Sequence, residues 1–256
     1  MKVLATATAT ATATVAATAA TFVLTNSAYA GPIDDLTFFT EEYPPYNMTD
    51  GDAKQGIAVE LTAAILEEAD TDKSIEDIEF VPWARGYQTA LRKPNTVLFS
   101  TTRTESRENR FAWVGPIAAT RIGIIGPKDA PDAESLDDLY DARIATIRDD
   151  VAEQMLFQNA FPQDSIHSTS NLRSIVRLLE NGRVDYWAYE TNVSMHALKK
   201  HGASAAYETK FVLTEAELYY ALNKDSDPAA VSAFEDAFET VRASERYDAI
   251  IDKYLK

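Results

Sequence analysis

Phe99-Ser100-Thr101-Thr102-Arg103-Thr104-Glu105-Ser106-Arg107, followed closely by Phe111-Ala112-Trp113-Val114-Gly115-Pro116-Ile117, is the most informative part of this chain. The spacing predicts a strand over Thr96 to Ser100. Hydroxyl side chains begin where that strand ends, and Arg107 closes the loop. A guanidinium placed there can hold a carboxylate through two parallel hydrogen bonds. Thr102 and Thr104 can add a hydroxyl or a backbone N–H to the same oxygens, and Ser100 at the strand end joins them as a candidate ligand residue. The competing reading pairs Arg107 with Glu105, Glu108 or another surface acid.

Outward from this stretch, strands and helices alternate, which predicts α/β layers. Before it come a strand at Leu36 to Thr40, a helix over Ile57 to Ala69 with one apolar face, a strand at Ile78 to Val81 and a helix over Gly86 to Lys93. After it, strands are predicted at Arg121 to Ile125, Arg143 to Ile147, Val184 to Tyr189 and Glu217 to Leu222. Asp150 followed by Glu153 is a capping-box pattern that opens a helix over Val151 to Phe161. Asn171 caps the next helix, which Asn181-Gly182 should end with left-handed residues. A helix over Thr191 to Lys200 stops before Gly202. Asp227-Pro228 starts a helix lined by Val231, Phe234, Phe238 and Val241, and Tyr247, Ile250, Ile251 and Tyr254 line the last one.

Composition removes several functional classes. The 256 residues hold 24 Lys and Arg against 40 Asp and Glu, a formal net charge of −16, and no Cys. Disulfide frameworks, thiolate metal sites, Cys nucleophiles and a lipid-modified N-terminal Cys are excluded. The acidic balance argues against nucleic acid as a partner, because a phosphate backbone needs a basic face. His167, His196 and His201 form no HExxH pattern, and the chain has no GxSxG elbow, P-loop or GxGxxG. No cofactor or metal is called for. Met1 to Ala30 carries one Lys, an Ala/Thr run, Phe22-Val23-Leu24 and a small-x-small Ala28-Tyr29-Ala30. It reads as a secretory signal peptide cleaved after Ala30. The expected location is the periplasm, without a lipid anchor.

The two quoted stretches, together with Tyr43-Pro44-Pro45-Tyr46-Asn47, Val81-Pro82-Trp83-Ala84-Arg85, Gly182-Arg183-Val184-Asp185 and the C-terminal Tyr247…Lys253-Tyr254 helix, resemble the extracellular solute-binding proteins of polar-amino-acid ABC importers, family three. The resemblance implies a two-lobed type II periplasmic binding protein fold with a two-strand hinge. It implies one lobe over 31–117 and 219–256 and the other over 118–218, with hinge crossings near Ala118-Thr120 and Glu217-Tyr219. It further implies a monomer that closes on a small ligand, an amino acid or related amine, and passes it to a membrane ABC permease. A sensory module without a permease and a dehydratase-like enzyme on the same scaffold are the alternatives.

By that resemblance Arg107 clamps the ligand α-carboxylate. Glu190 stands where the family usually has an Asp that accepts from the α-ammonium. A carboxylate at a strand's C-terminal end in an α/β lobe points toward the crevice, although a helix-starting acid can also serve only the helix dipole. Tyr43, Tyr46 and Trp83 are candidate walls for an aliphatic or cationic ligand part, with core packing as the competing role. The departure from the family is Arg148-Asp149-Asp150-Val151, where relatives carry a Gly-Ser/Thr-Thr turn that receives the carboxylate on backbone N–H groups. Asp150 and Val151 are therefore candidate ligand residues in an altered turn that tilts the pocket toward net-positive ligands. If both Asp side chains point outward, only the backbone lines the site.

Overall fold

Two strands of 17 residues, Phe111–Pro127 and Tyr207–Asn223, run antiparallel through the middle of the molecule and organise everything else. The computed structural model describes residues 31–255, so the predicted leader and its cleavage point lie outside the described residues. In chain order the elements are β1 (Thr37–Thr40), β2 (Met48–Asp50), β3 (Ala53–Gln55), α1 (Ile57–Glu68), β4 (Glu79–Phe80), α2 (Trp83–Arg92), β5 (Thr96–Thr102), β6 (Phe111–Pro127), β7 (Ile144–Ile147), α3 (Val151–Gln158), β8 (Ile166–Thr169), α4 (Leu172–Glu180), β9 (Tyr186–Glu190), α5 (Thr191–Lys200), β10 (Tyr207–Asn223), α6 (Pro228–Arg242) and α7 (Glu245–Leu255).

The main sheet has the order β4-β1-β5-β10-β6-β9-β7-β8. One parallel group, β4-β1-β5, attaches to β10 only along Leu218 to Leu222. The other, β9-β7-β8, attaches to β6 only along Ile122 to Ile125. Between those two attachments the β6–β10 ladder stands alone, at Ala119↔Glu217, Thr120↔Ala216 and Arg121↔Glu215. Two halves joined by a pair of bare strands is the two-lobed, two-strand-hinge architecture that the sequence resemblance implies.

Each half has its own reason to be solid. In the first, every residue of β5 is buried, and Phe234 and Phe238 of α6 pack on Tyr220, with Phe234 also against Phe38. Each such aromatic contributes on the order of 2–3 kcal/mol through burial. In the second, Ile122, Ile124, Ile144, Val151, Leu156 and Ile166 form a separate apolar cluster.

The structure corrects several boundaries. Helix α2 begins at Trp83 rather than Gly86, because Gly86 lies inside the helix, where a Cβ would come within 2.9 Å of the Leu98 side chain. Helix α3 ends at Gln158 rather than Phe161, since Ala160 takes a left-handed φ of 61°. Asp150 does cap α3, accepting from Ala152 N at 3.0 Å, but Glu153 reaches back to Asp149 N at 2.6 Å instead of closing a box on Asp150. Only Gly182, not Asn181, is left-handed after α4. The β2–β3 hairpin and β8, unread in the sequence, are three or four residues long and have one buried residue among them, so they carry little periodicity.

Candidate functional site

The loop after β1 folds back on itself: Asn47 N and Tyr46 N donate to Tyr43 O, and Tyr43 N donates to Asn47 O at 2.7 Å. Helix α1 anchors it, because the backbone N–H groups of Ala58 and Ile57, which have no partner inside the helix, donate to Tyr46 O and Pro45 O at 2.8 and 3.2 Å. Gly56 makes that approach possible. Its φ is +118°, and a Cβ there would lie 2.5 Å from Tyr46 O. The result is that Tyr43 and Tyr46 are buried side by side, ring centroids 5.5 Å apart, with Tyr189 of β9 edge-on to Tyr43 at 5.5 Å. These rings cross from one half to the other.

Arg107 is 1 % exposed. Its guanidinium lies over the faces of Trp83 and Tyr87, at 5.5 and 5.0 Å from their centroids. None of its hydrogen bonds goes to Glu105 or Glu108. Nη1 donates to Thr102 O at 3.3 Å, Nη2 to Asp149 O at 3.3 Å and Nε to Gln154 Oε1 at 3.1 Å. Two of these three acceptors belong to the opposite half. Burial pulls the guanidinium below its ordinary pKa, with nearby Tyr87 and Asp150 opposing.

The 148–150 turn meets Arg107 with its backbone. Asp149 has a left-handed φ of 61°, which turns its carbonyl toward the first half. That single oxygen accepts from Trp83 Nε1 at 2.9 Å, Arg107 Nη2 and Gln154 Nε2 at 2.8 Å. The alternative in which both Asp side chains point outward fails for Asp150, which is 4 % exposed. Burial raises its carboxyl to about 6, with Arg107 opposing. Val151 is buried behind it.

Glu190 is fully buried at the end of β9 and caps α5 through Val193 N at 2.6 Å. Tyr46 Oη and Thr120 Oγ1 each donate to Oε1 at 3.4 Å, the first of them across the halves. Burial raises Glu190 to about 7 against these hydrogen bonds. Glu41, which sequence reasoning missed, accepts from Tyr189 Oη at 2.9 Å across the same seam, and burial together with Asp150 raises it well above the ordinary carboxylate value.

The structure thus brings Tyr43, Tyr46, Trp83, Arg107, Asp150 and Glu190 to one seam between the halves. Ser100 is set apart: its hydroxyl donates to Asn47 Oδ1 and holds the tyrosine loop. Thr102 contributes its carbonyl to Arg107, and Thr104 shares a hydrogen bond with Ser106 at 3.1 Å. Arg85 is exposed. Beside the seam an open cleft of about 1430 Å³ is floored by the hinge strands. Of the predicted site residues Thr104 and Val151 line it, and Gln154 and Asn192 connect it to the buried seam. Tyr87 and Gln154 were legible in principle, each being one helical turn after a chosen residue (Trp83 and Asp150) on the same face. Glu41 follows the end of β1 directly, two residues before Tyr43, a weaker signal.

Residues 36–256 match the family described as bacterial extracellular solute-binding proteins, family 3. No curated protein matches the chain. Among solved structures, a histidine kinase sensor domain with similarity to periplasmic binding proteins superposes with a TM-score of 0.74 at 22% identity, covering 86% of this chain and 96% of that one. An ancestral arginine-binding protein bound to arginine gives 0.73 at 18% identity, covering 88% and 100%. An arginine-, lysine-, histidine-binding protein from Geobacillus stearothermophilus gives 0.73 at 15% identity, covering 86% and 95%. At these identities the likeness establishes the fold.

Proposed function

Since the chain belongs to the bacterial extracellular solute-binding proteins, family 3, we propose that it captures a small zwitterionic solute, an amino acid or related amine, by closing its two lobes, and delivers it to an ABC importer. The family is one of binding proteins rather than enzymes. The lobes in this reading are 31–117 with 219–256, and 118–218, working as a monomer in the periplasm after removal of the leader at Ala30.

One observation carries the proposal. A buried guanidinium on the first lobe, Arg107, and two buried carboxylates on the second, Asp150 and Glu190, stand at one seam that crosses the hinge. That is the charge complement of a molecule with a carboxylate at one end and an ammonium at the other. Arg107 would take the carboxylate by exchanging Gln154 and Asp149 O for it, with Thr102, Thr104 and the Val151 N-terminus of α3 nearby, while Ser100 would act only by holding the tyrosine loop. Glu190 and Asp150 would take the ammonium, and Trp83, Tyr43 and Tyr46 would wall the rest. A ligand that touches both lobes favours the closed form by its differential affinity for it.

A thermal-shift screen of the purified protein against amino acids, polyamines and small organic acids tests this. A ligand at about 100 times its dissociation constant adds roughly 2.7 kcal/mol, which for a chain of this size raises the melting temperature by roughly 5–10 °C. Amino acids and other amines bearing a carboxylate should give that shift, and polyamines, which lack one, should not. A shift with carboxylic acids alone, or with none of the panel, overturns the zwitterion reading. Recovery of the bound compound chemically unchanged separates a receptor from a dehydratase-like enzyme. Ligand-dependent stimulation of an importer's ATPase separates transport from sensing.

A further inference from the structure

The seam has more buried negative charge than it has partners for. Arg107 is its one buried cation, and all three hydrogen bonds of the guanidinium go to neutral oxygens. The buried Asp150 and Glu190 form no ion pair among the described residues, and neither does the half-buried Glu41. Asp150 faces Arg107 and Glu153, with Glu41, Tyr43 and Tyr189 near enough to feel its charge. Glu190 faces Tyr46, Tyr43, Thr120, Asn192 and the N–H groups of Val193 and Arg121. None of these except Arg107 is cationic on the side chain facing the carboxylates.

Glu153 marks the contrast. It is also buried, but Thr146 Oγ1, Ser168 Oγ and Asp149 N, all from its own lobe, donate to it, and it stays satisfied whatever the lobes do. Asp150 and Glu190 instead owe part of their cover to the first lobe, through the tyrosine loop and the Trp83–Asp149 contact. Opening the seam returns them to water, where a carboxylate is readily ionised. Closing it desolvates them, which an ionised carboxylate resists unless a positive charge arrives.

We propose that closing of the lobes over this seam takes up protons at Asp150 and Glu190. The inference rests on the lobe-closure reading above. The sign follows from the raised values: the closed seam holds protons up to about pH 6 on Asp150 and about pH 7 on Glu190, whereas hydrated carboxylates release them near pH 4. Between those limits falling pH favours the closed form, by at most about tenfold per pH unit for each proton taken up.

Small-angle X-ray scattering of the purified protein from pH 8.5 to pH 5.5 reads the closure directly. The radius of gyration should fall as the pH falls. The double variant Asp150→Asn with Glu190→Gln should be compact already at pH 8.5 and lose most of the pH dependence, since Asn and Gln still accept the capping N–H bonds. Circular dichroism checks that each variant is folded. A wild type whose radius does not change, or a double variant that titrates like the wild type, overturns the proposal. The variant Trp83→Phe with Arg107→Ala, which removes the cross-seam donors, distinguishes the two levels of failure. If it expands while the wild type ignores pH, the proton linkage is wrong and the moving lobes stand. If it stays as compact as the wild type, the lobe-closure reading falls too.

Discussion

Arg103 and Arg107 sit on the same loop and experience opposite electrostatics. Arg103 is half-exposed, lies over Trp113 and Tyr219, and makes a two-pronged ion pair with Glu108. That hydrogen bond holds Glu108 below the usual carboxylate range, so the pair persists as the pH falls and breaks only once Glu108 protonates. Arg107 is buried, touches two aromatic faces, and donates only to carbonyl and amide oxygens. A guanidinium whose hydrogen-bond partners are all neutral acceptors is one that a ligand carboxylate can claim, because the exchange gains a charge-assisted bond. One already locked to a carboxylate gains nothing by changing partner. The difference teaches where to look for function: among buried charges left without counter-ions.

The largest effect should therefore come from Arg107→Ala. Truncating one side of a buried charge contact costs about 3 kcal/mol or more, so affinity measured by calorimetry for the best ligand of the thermal-shift screen should fall over 100-fold. Next comes Glu190→Gln. Ligands bearing an ammonium group should lose about 2 kcal/mol, the worth of a hydrogen bond to a charged group, while ligands lacking one should bind almost as before. Equal losses for both classes would mean that Glu190 shapes the α5 cap and not the ligand's charge.

How much of this was legible beforehand differs between fold and site. The alternation of apolar runs, the Asp227-Pro228 start of α6 and the Asn171 cap of α4 are local signals, and the structure has them where the sequence places them. The length of β6 and β10 was not legible, because Gly115-Pro116 and the polar Glu215 and Glu217 interrupt any run of period two. Their pairing is a long-range fact. At the site, Arg107, Asp150, Glu190 and Trp83 were all named from sequence. What they touch was not, because the acceptor that gathers them is the main-chain carbonyl of Asp149, and a left-handed Asp looks in sequence like any turn acid. Glu41 escaped for a similar reason: its partner, Tyr189, comes from the far half.

Trp83→Phe sharpens the comparison at a smaller scale. It keeps the ring under Arg107 and the stacking on Tyr87, 5.6 Å away, but deletes the Nε1 donor to Asp149 O. A single neutral hydrogen bond is worth about 1 kcal/mol, so affinity should fall roughly fivefold with the melting temperature little changed. A loss as large as that of Arg107→Ala would make the Trp83–Asp149 contact, rather than ligand bridging, the main tie between the lobes.

Arg103→Ala is the smallest expected effect and the hardest test. Arg103 lines the open cleft and Arg107 does not, so simple access would favour Arg103 as the carboxylate holder. Two physical facts argue the other way. Its charge is already neutralised by Glu108, and exposed ion pairs are screened by water and salt. Its removal should change ligand affinity by less than about twofold, and that small change should shrink further as salt is added. If calorimetry instead shows Arg103→Ala abolishing binding while Arg107→Ala leaves it intact, the ligand sits at the cleft rim. The buried guanidinium would then be a structural tie between the lobes, and its lack of a counter-ion would mark architecture instead of ligand binding.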